Sequence, residues 1–301
     1  MLEIGDPKWP AAALGLGPER RDLHMDQRIL APYIAAYKYK AFLGLTSNEN
    51  GYLIEPVLLT PEGNLKHSFN FGGLMGSSDL LNATEHVDSL NEWAIKNGAI
   101  SKYCTLIPSL AEKQVKLLNS AGIFPEFKKN SVIIDLNDQK IRGTTRRLAG
   151  KALSDGVLIR DCEAGDLKHF IEMYEKTMDR LEAKDHWKFT PKWFEVFFRF
   201  VRPALLMAEY GGKCQAGCII VYSQQYPVAY YYLAASEQDH HPGAAHMLIM
   251  AACEFLKSQG IRYFYLGGGT TDKEDDGLLT FKSGFSKDRL PVYVHSKSYL
   301  N

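Results

Sequence analysis

The stretch that most restricts the fold is residues 230–285, YYYLAASEQDHHPGAAHMLIMAACEFLKSQGIRYFYLGGGTTDKEDDGLLTFKSGF. An aromatic-rich strand leads into an amphipathic helix. A second short apolar strand follows, then Gly267, Gly268 and Gly269, an acidic loop, and a lysine, Lys282, between Phe281 and Phe285. That order builds an open cleft beside a sheet, at the carboxyl ends of its strands, where α/β proteins bind small molecules.

At 301 residues the chain is long enough for two domains. Lys plus Arg and Asp plus Glu both number 35, so nothing marks a general polyanion binder and any nucleic acid would have to be recognised by a local patch. Five cysteines, an odd and sparse set, are no disulfide framework. Cys214 and Cys218 have no second ligand pair at zinc spacing and read as buried strand residues, so no metal site is predicted. The first residues lack a basic start followed by an apolar run, and no run of 18 apolar residues occurs. No membrane span is predicted, and the cytoplasm is the expected location.

Residues 1–30 hold Pro7, Pro10, Gly15, Gly17 and Pro18 and read as an irregular lead-in. Residues 34–45 and 52–59 read as strands around the turn signal SNENG. Residues 69–76, FNFGGLMG, form a glycine-rich turn. A helix over 80–97, a strand over 100–107, a helix opened by Pro108 and a strand over 132–136 complete the first half. The second half repeats this order. It has a basic helix over 142–151, a strand over 157–160, a helix over 166–181 with Asp166 as N-cap, and a helix started by Thr190 and Pro191. Strands over 204–209, 216–222 and 228–234 follow, then a helix over 244–258 closed by Gly260, a strand over 261–266 and a last strand over 292–295. The simplest account is two similar α/β units, 1–138 and 139–301, joined within LNDQK.

Four pieces of the second half, IRGTTRRLAGKALSDGVLIR, EMYEKTMDRL, LLMAEYGGKCQAGCIIVY with YYYLAAS, and GLLTFKSGF, resemble the acetyltransferase-like domain found twice in the Fem family of aminoacyl transferases. Those enzymes add amino acids from charged tRNA to peptidoglycan precursors. The resemblance implies an α/β fold of two tandem acetyltransferase-like (GNAT) domains with mixed central sheets, the first degenerate and acceptor-binding, the second donor-binding and catalytic. It implies an N-acyltransferase. The chain lacks the helical-hairpin insertion and charged arm of some family members, which favours acyl-CoA as co-substrate. The alternatives are an aminoacyl-tRNA donor with a peptidoglycan precursor or other peptide as acceptor, and a non-catalytic ligand-binding relative.

The resemblance gives Lys282 a place at the donor end of the site, where it would stabilise charge on the carbonyl oxygen or leaving group. The bland reading is a snorkelling lysine packed on phenylalanines. Tyr230 and Tyr232 share a strand face opposite Tyr231, and Tyr232, nearer the carboxyl end, is the one placed in the cleft. Arg142 and Arg146 lie four apart on one helical face beside Arg147. They are the anionic-ligand candidates, for any phosphate the acceptor carries, though charge runs usually face solvent. Arg180 falls in the family-like helix and is assigned to substrate, with Arg160 weaker. Gly243, Ala244 and Ala245, and Gly268 in the triple-glycine run, would offer amides to the donor. The acids after that run could hold an amine. Phe71, Gly72 and Gly73 in the first half are assigned to the acceptor, a small-molecule or peptide amine. No nucleophile elbow occurs, so direct attack by the amine is predicted.

Overall fold

The computed structural model describes residues 1–162 and 165–300. The chain divides into two units, residues 1–130 with 290–301, and residues 131–289. The division falls before the LNDQK segment, and the last strand returns to the first unit, which the boundary drawn at 138 did not foresee.

The first unit opens with β1 (Leu2–Glu3), α1 (Lys8–Gly15) and α2 (Ala31–Tyr37). The lead-in is therefore structured, a correction to the irregular reading. Its prolines sit where a first turn has no amide to lose, and Trp9 is fully buried with its indole N–H donating to Met25 O at 3.1 Å. The strand predicted over 34–45 is two elements. Lys38 takes a left-handed conformation (φ 58°), which ends α2, and β2 (Lys40–Asn48) follows. Next come β3 (Gly51–Leu59), β4 (Asn64–Lys66), β5 (Phe71–Gly72), β6 (Met75–Gly76), α3 (Thr84–Lys96), β7 (Ser101–Leu106), α4 (Ala111–Ser120) and β8 (Glu126–Asp135).

The second unit takes up residues 131–135 of β8 and adds α5 (Gly143–Ser154), β9 (Leu158–Asp161), α6 (Asp166–Arg180), α7 (Pro191–Val201), β10 (Ala204–Tyr210), β11 (Lys213–Val221), β12 (Val228–Ser236), α8 (Ala244–Ser258), β13 (Tyr263–Gly267) and α9 (Gly277–Lys282). The last strand, β14 (Arg289–Ser298), pairs with β7 over residues 294–298.

In the first unit the sheet runs β1-β2-β3-β4-β7-β14, antiparallel except where β4 and β5 lie parallel to β7. At its centre sits a buried ionic cluster. Lys102 Nζ lies 2.7 Å from Glu55 Oε1, His67 Nε2 donates to the same oxygen at 3.1 Å, and His86 Nε2 stands 3.9 Å from Oε2. The Thr46 hydroxyl at 3.0 Å from His86 Nδ1 turns the other ring nitrogen toward Glu55. Burial opposes the charge on Glu55, but Lys102 and the His67 hydrogen bond outweigh it and hold the carboxyl well below its usual range. Burial pushes His86 down to about 4 and His295 down to about 4.

The second unit's sheet runs β8-β13-β12-β11-β10-β9, mixed because β12 and β13 are parallel and the other pairs antiparallel. One face carries the core of Ala216, Cys218, Ile220, Phe264 and the apolar side of α8. The other is covered by rings from α6 and α7, with Phe170, Trp193, Phe194 and Phe197 fully buried. Thr190 caps α7 by accepting from Trp193 N at 3.2 Å, as the Thr-Pro signal predicts. Asp166 is not the N-cap of α6. That position is Gly165, and Asp166 instead takes both terminal nitrogens of Arg160, whose Nε reaches Glu209 at 2.6 Å. No described helix is long and apolar enough to cross a membrane.

Candidate active site

The second unit's sheet parts between β12 and β13. The parallel register covers only Val228↔Tyr263, Ala229↔Phe264 and Tyr230↔Tyr265, yet β12 runs on to Ser236. Both strands are irregular just there. The β11–β12 register slips between Ile219↔Leu233 and Ile220↔Tyr231, passing over Tyr232. The β13–β8 register slips between Tyr265↔Ile133 and Gly267↔Val132, passing over Leu266. Such bulges bend a strand and increase its twist. Residues 231–236 of β12 thus have no strand partner on the β13 side among the described residues.

Beyond β13 the three glycines turn the chain, Gly267 with φ +84°. A side chain at Gly269 would meet Asp276 Oδ1 at 2.3 Å, so only glycine allows that approach. Asp276 caps α9 by accepting from Leu279 N at 3.0 Å, and its other oxygen accepts from Thr270 Oγ1 at 2.7 Å and from Thr271 N and Oγ1 at 2.9 and 3.0 Å. Burial opposes its charge, but these bonds outweigh that and hold the carboxyl well below the usual carboxylate range. The reading of these acids as an amine holder is therefore corrected at Asp276, which is committed to the turn.

Lys282 closes α9 with 8% of its surface exposed, and its ammonium donates to Gly268 O at 2.9 Å. The glycine turn is thus held from both sides, by Asp276 and by Lys282. Phe285 is fully buried and Phe281 partly. Their rings meet edge-to-face at 5.4 Å with His246 against both. The aromatic flank predicted for Lys282 is present, Phe281 within α9 and Phe285 beyond its end.

Tyr232 is 4% exposed, and its ring stacks on Phe197 at 5.1 Å and lies parallel to Trp193 at 6.5 Å, on the side covered by α7. Tyr230 packs against Tyr265 at 5.3 Å, and Tyr231 turns to Phe264 on the opposite face. Helices cover both faces, so the alternation predicted for the three tyrosines is present while all three rings pack among aromatic neighbours. Arg180 donates to Ser236 O at 3.1 Å, and Thr177 Oγ1 bonds both the amide and the carbonyl of Ser236, tying α6 to the end of β12.

The predicted donor amides at the start of α8 are partly committed. Gly243 N donates to His241 Nδ1 at 3.1 Å and Ala244 N to His241 O at 2.9 Å. His241 in turn donates through Nε2 to Asp155 at 2.9 Å, which braces the start of α8. Arg146 and Arg147 are exposed on α5, and Arg142, its N-cap with an extended backbone, is exposed just before it, which takes it off the helical face predicted for it. In the first unit, packing accounts for the glycine-rich turn. A side chain at Gly72 would meet His67 at 2.3 Å, Gly73 (φ +98°) lies against Cys104 and Gln114, and Phe71 meets His24 edge-on at 5.6 Å.

Sequence reasoning missed Asp276 as the organiser of the turn. The signal was the Asp-Gly-Leu-Leu start of a helix, hidden within a run read only for its charge. It also gave no sign of the open cavity of about 870 Å³ lined by Arg160, Asp166, Glu209, Gln215, Glu237 and Asp239, which forms between residues distant in sequence.

The acetyltransferase (GNAT) domain family matches residues 139–282, which span α5 to α9. Residues 139–282 are a GNAT domain. The match supports acyltransferase chemistry for that domain. Among curated proteins none matches in sequence. The fold recurs in solved structures at low identity. An L-PGS from Bacillus licheniformis has a TM-score of 0.68 at 13% identity, covering 100% of this chain and 94% of that one. FemX has 0.65 at 12%, covering 98% and 97%. A tandem GNAT protein from the clavulanic acid biosynthesis pathway has 0.60 at 12%, covering 100% and 98%. At such identities the likeness concerns the fold. The tandem GNAT architecture drawn from the sequence is therefore the one observed. The GNAT domain contains the parted strands, the braced glycine turn and Lys282.

Proposed function

We propose that the chain moves an acyl group from an acyl-CoA to an amine acceptor at the parted carboxyl ends of β12 and β13. The observation that carries this reading is the coincidence of the parted strands with a glycine turn fixed by Asp276 and Lys282. Residues 231–236 of β12, which β13 does not pair, offer strand-like hydrogen bonds to the donor's extended arm. The neutral amine attacks the acyl carbon, the carbon–sulfur bond breaks, the thiolate leaves and is protonated, and the amine's surplus proton passes to solvent. Lys282 and nearby amides stabilise the negative charge that develops on the carbonyl oxygen or the leaving sulfur, in a fixed and largely dry setting.

The test is transfer from acetyl-CoA and longer acyl-CoAs to a panel of amines, with Lys282→Met alongside. The expected result is a fall in kcat of roughly 100-fold, the scale of one lost oxyanion donor, with a modest fall in melting temperature from the lost bond to Gly268 O. Full-rate transfer by the variant would refute the role of Lys282, and no transfer from any acyl-CoA would refute the donor.

A second reading, an aminoacyl-tRNA donor with a peptide acceptor, is favoured by the first turn of α8. Its Gly243 and Ala244 amides are engaged by His241, and Gly243 is pressed against Leu148, where a side chain would lie 2.4 Å from the carbonyl. A pyrophosphate finds fewer open amides there than a helix start normally offers. A strict requirement for charged tRNA in the transfer assay would select this reading.

A further inference from the structure

We infer that the cavity of about 870 Å³ in the second unit is a binding site for a polyamine, an extended organic cation with spaced ammonium groups. Three segments distant in sequence wall it: the first turn of α6, the end of the β10–β11 hairpin, and residues 237–239 just beyond β12. Glu237 N donates to Gln215 O at 2.9 Å, which joins the hairpin to the segment after β12. Thr177 Oγ1 and Arg180 hold the neighbouring Ser236 to α6. The lining therefore sits on the β11 side of β12, opposite the edge that β13 leaves unpaired. The site goes beyond the proposed acyl transfer and does not depend on it.

The hydrogen bonds of the lining decide the charge of the ligand. Four carboxylates, those of Asp166, Glu209, Glu237 and Asp239, face the cavity against two cations, Arg160 and Lys213. Arg160, the weaker substrate arginine of the sequence, is spent within the wall. Its terminal nitrogens go to Asp166 and its Nε to Glu209. That fork is closed to an anionic ligand. Glu237 meets Lys176 at 3.9 Å, but the lysine side chain is 67% exposed and solvent screens the pair. The Asp239 carboxylate is exposed and makes no ion pair or hydrogen bond among the described residues. The cavity thus presents mainly acceptors, and they select a ligand that brings N–H donors and positive charge. The layout also selects its shape. Among the described residues no three His, Cys, Asp or Glu side chains gather where one metal ion could touch them all. Carboxylates spread along a wall match ammonium groups separated by methylenes instead. Cys214, its thiol pushed by burial up to about 11, stays neutral and gives the methylenes an uncharged stretch.

Calorimetry with spermidine tests this on the full chain, as wild type, as Glu237→Gln/Asp239→Asn, as Lys213→Gln, and as Glu254→Gln on α8 for a control. Wild type is expected to bind spermidine saturably at one site per chain. The double variant should bind at least roughly tenfold more weakly, the scale of two lost charge contacts. Lys213→Gln, which removes a competing cation, should bind at least as tightly as wild type, and the control should not differ from it. Affinity should fall as KCl rises from about 10 to about 100 mM, where the screening length shrinks from about 30 to about 10 Å. MgCl2 at the same ionic strength should weaken binding no more than KCl does. Absence of saturable heat from wild type, equal affinities of wild type and double variant, or displacement by Mg2+ beyond that by KCl would each overturn the site. A chain that binds spermidine in this way but transfers no acyl group keeps the site and loses the reaction reading. One that transfers acyl groups but gives no saturable heat with spermidine loses the site alone.

Discussion

Replacing Lys102 by methionine tests whether the first unit is held by its buried ion pair. Nζ lies 2.7 Å from Glu55 Oε1, with the lysine side chain 8% and the glutamate 1% exposed. At an effective dielectric of 20, two unit charges at that separation attract by roughly 6 kcal/mol. Methionine matches the stem of the lysine but leaves Glu55 charged among His67, His86 and apolar strands. The carboxylate recovers part of the loss by taking a proton or by drawing one onto His67, whose Nε2 already faces it at 3.1 Å. The net destabilisation is then about 3–5 kcal/mol, the scale for removing one partner of a buried pair. Urea unfolding followed by tryptophan fluorescence reads this out, since Trp9 and Trp93 report on the first unit and Trp187 and Trp193 on the second. The double change Glu55→Gln/Lys102→Met, which leaves no unpaired charge, is expected to recover most of the stability. A single variant that loses less than about 1 kcal/mol, or a double variant no better than the single, would refute the reasoning.

Two further outcomes follow from the same geometry. His86 and His295 have folded-state pKa values pushed by burial to about 4, below the usual 6.5. Their contribution is complete above pH 6.5 and is lost as pH falls toward 4, on the order of 3 kcal/mol for each. The urea midpoint of the first unit should drop across that window, and a flat profile from pH 7 to 4.5 would contradict it. Asp276→Ala removes the cap of α9 and the brace of Thr270 and Thr271. A loss of about 1 kcal/mol in stability and a clear fall in transfer rate are expected, and unchanged transfer would separate the glycine turn from the chemistry.

Much of the candidate site was legible because its signals are local. Thr190 and Pro191 start a helix through the conformations they themselves prefer, and Gly98 and Gly260 end helices because they accept the left-handed turn. The alternation of Tyr230, Tyr231 and Tyr232 follows from the pleat of any strand, and the aromatic flank of Lys282 from the spacing of Phe281 and Phe285. The sequence by itself therefore determined the order of elements in the GNAT domain as far as β13, and the short segment holding its lysine.

Only the tertiary structure decided what those residues touch. Whether Tyr232 faces a cleft or α7 depends on a register slip between β11 and β12, and nothing within nine residues of strand encodes its partner's offset. The use of the Gly243 amide by His241, and of Asp276 by Thr270 and Thr271, depends on loop paths that charge and glycine content do not specify. The ionic cluster assembles Glu55, His67, His86 and Lys102 from strands and a helix far apart in the chain, and β14 reaches the first unit only after the whole second unit has been made. Backbone preferences act over a few residues, whereas pairing and burial are set by the single packing that satisfies all the strands at once.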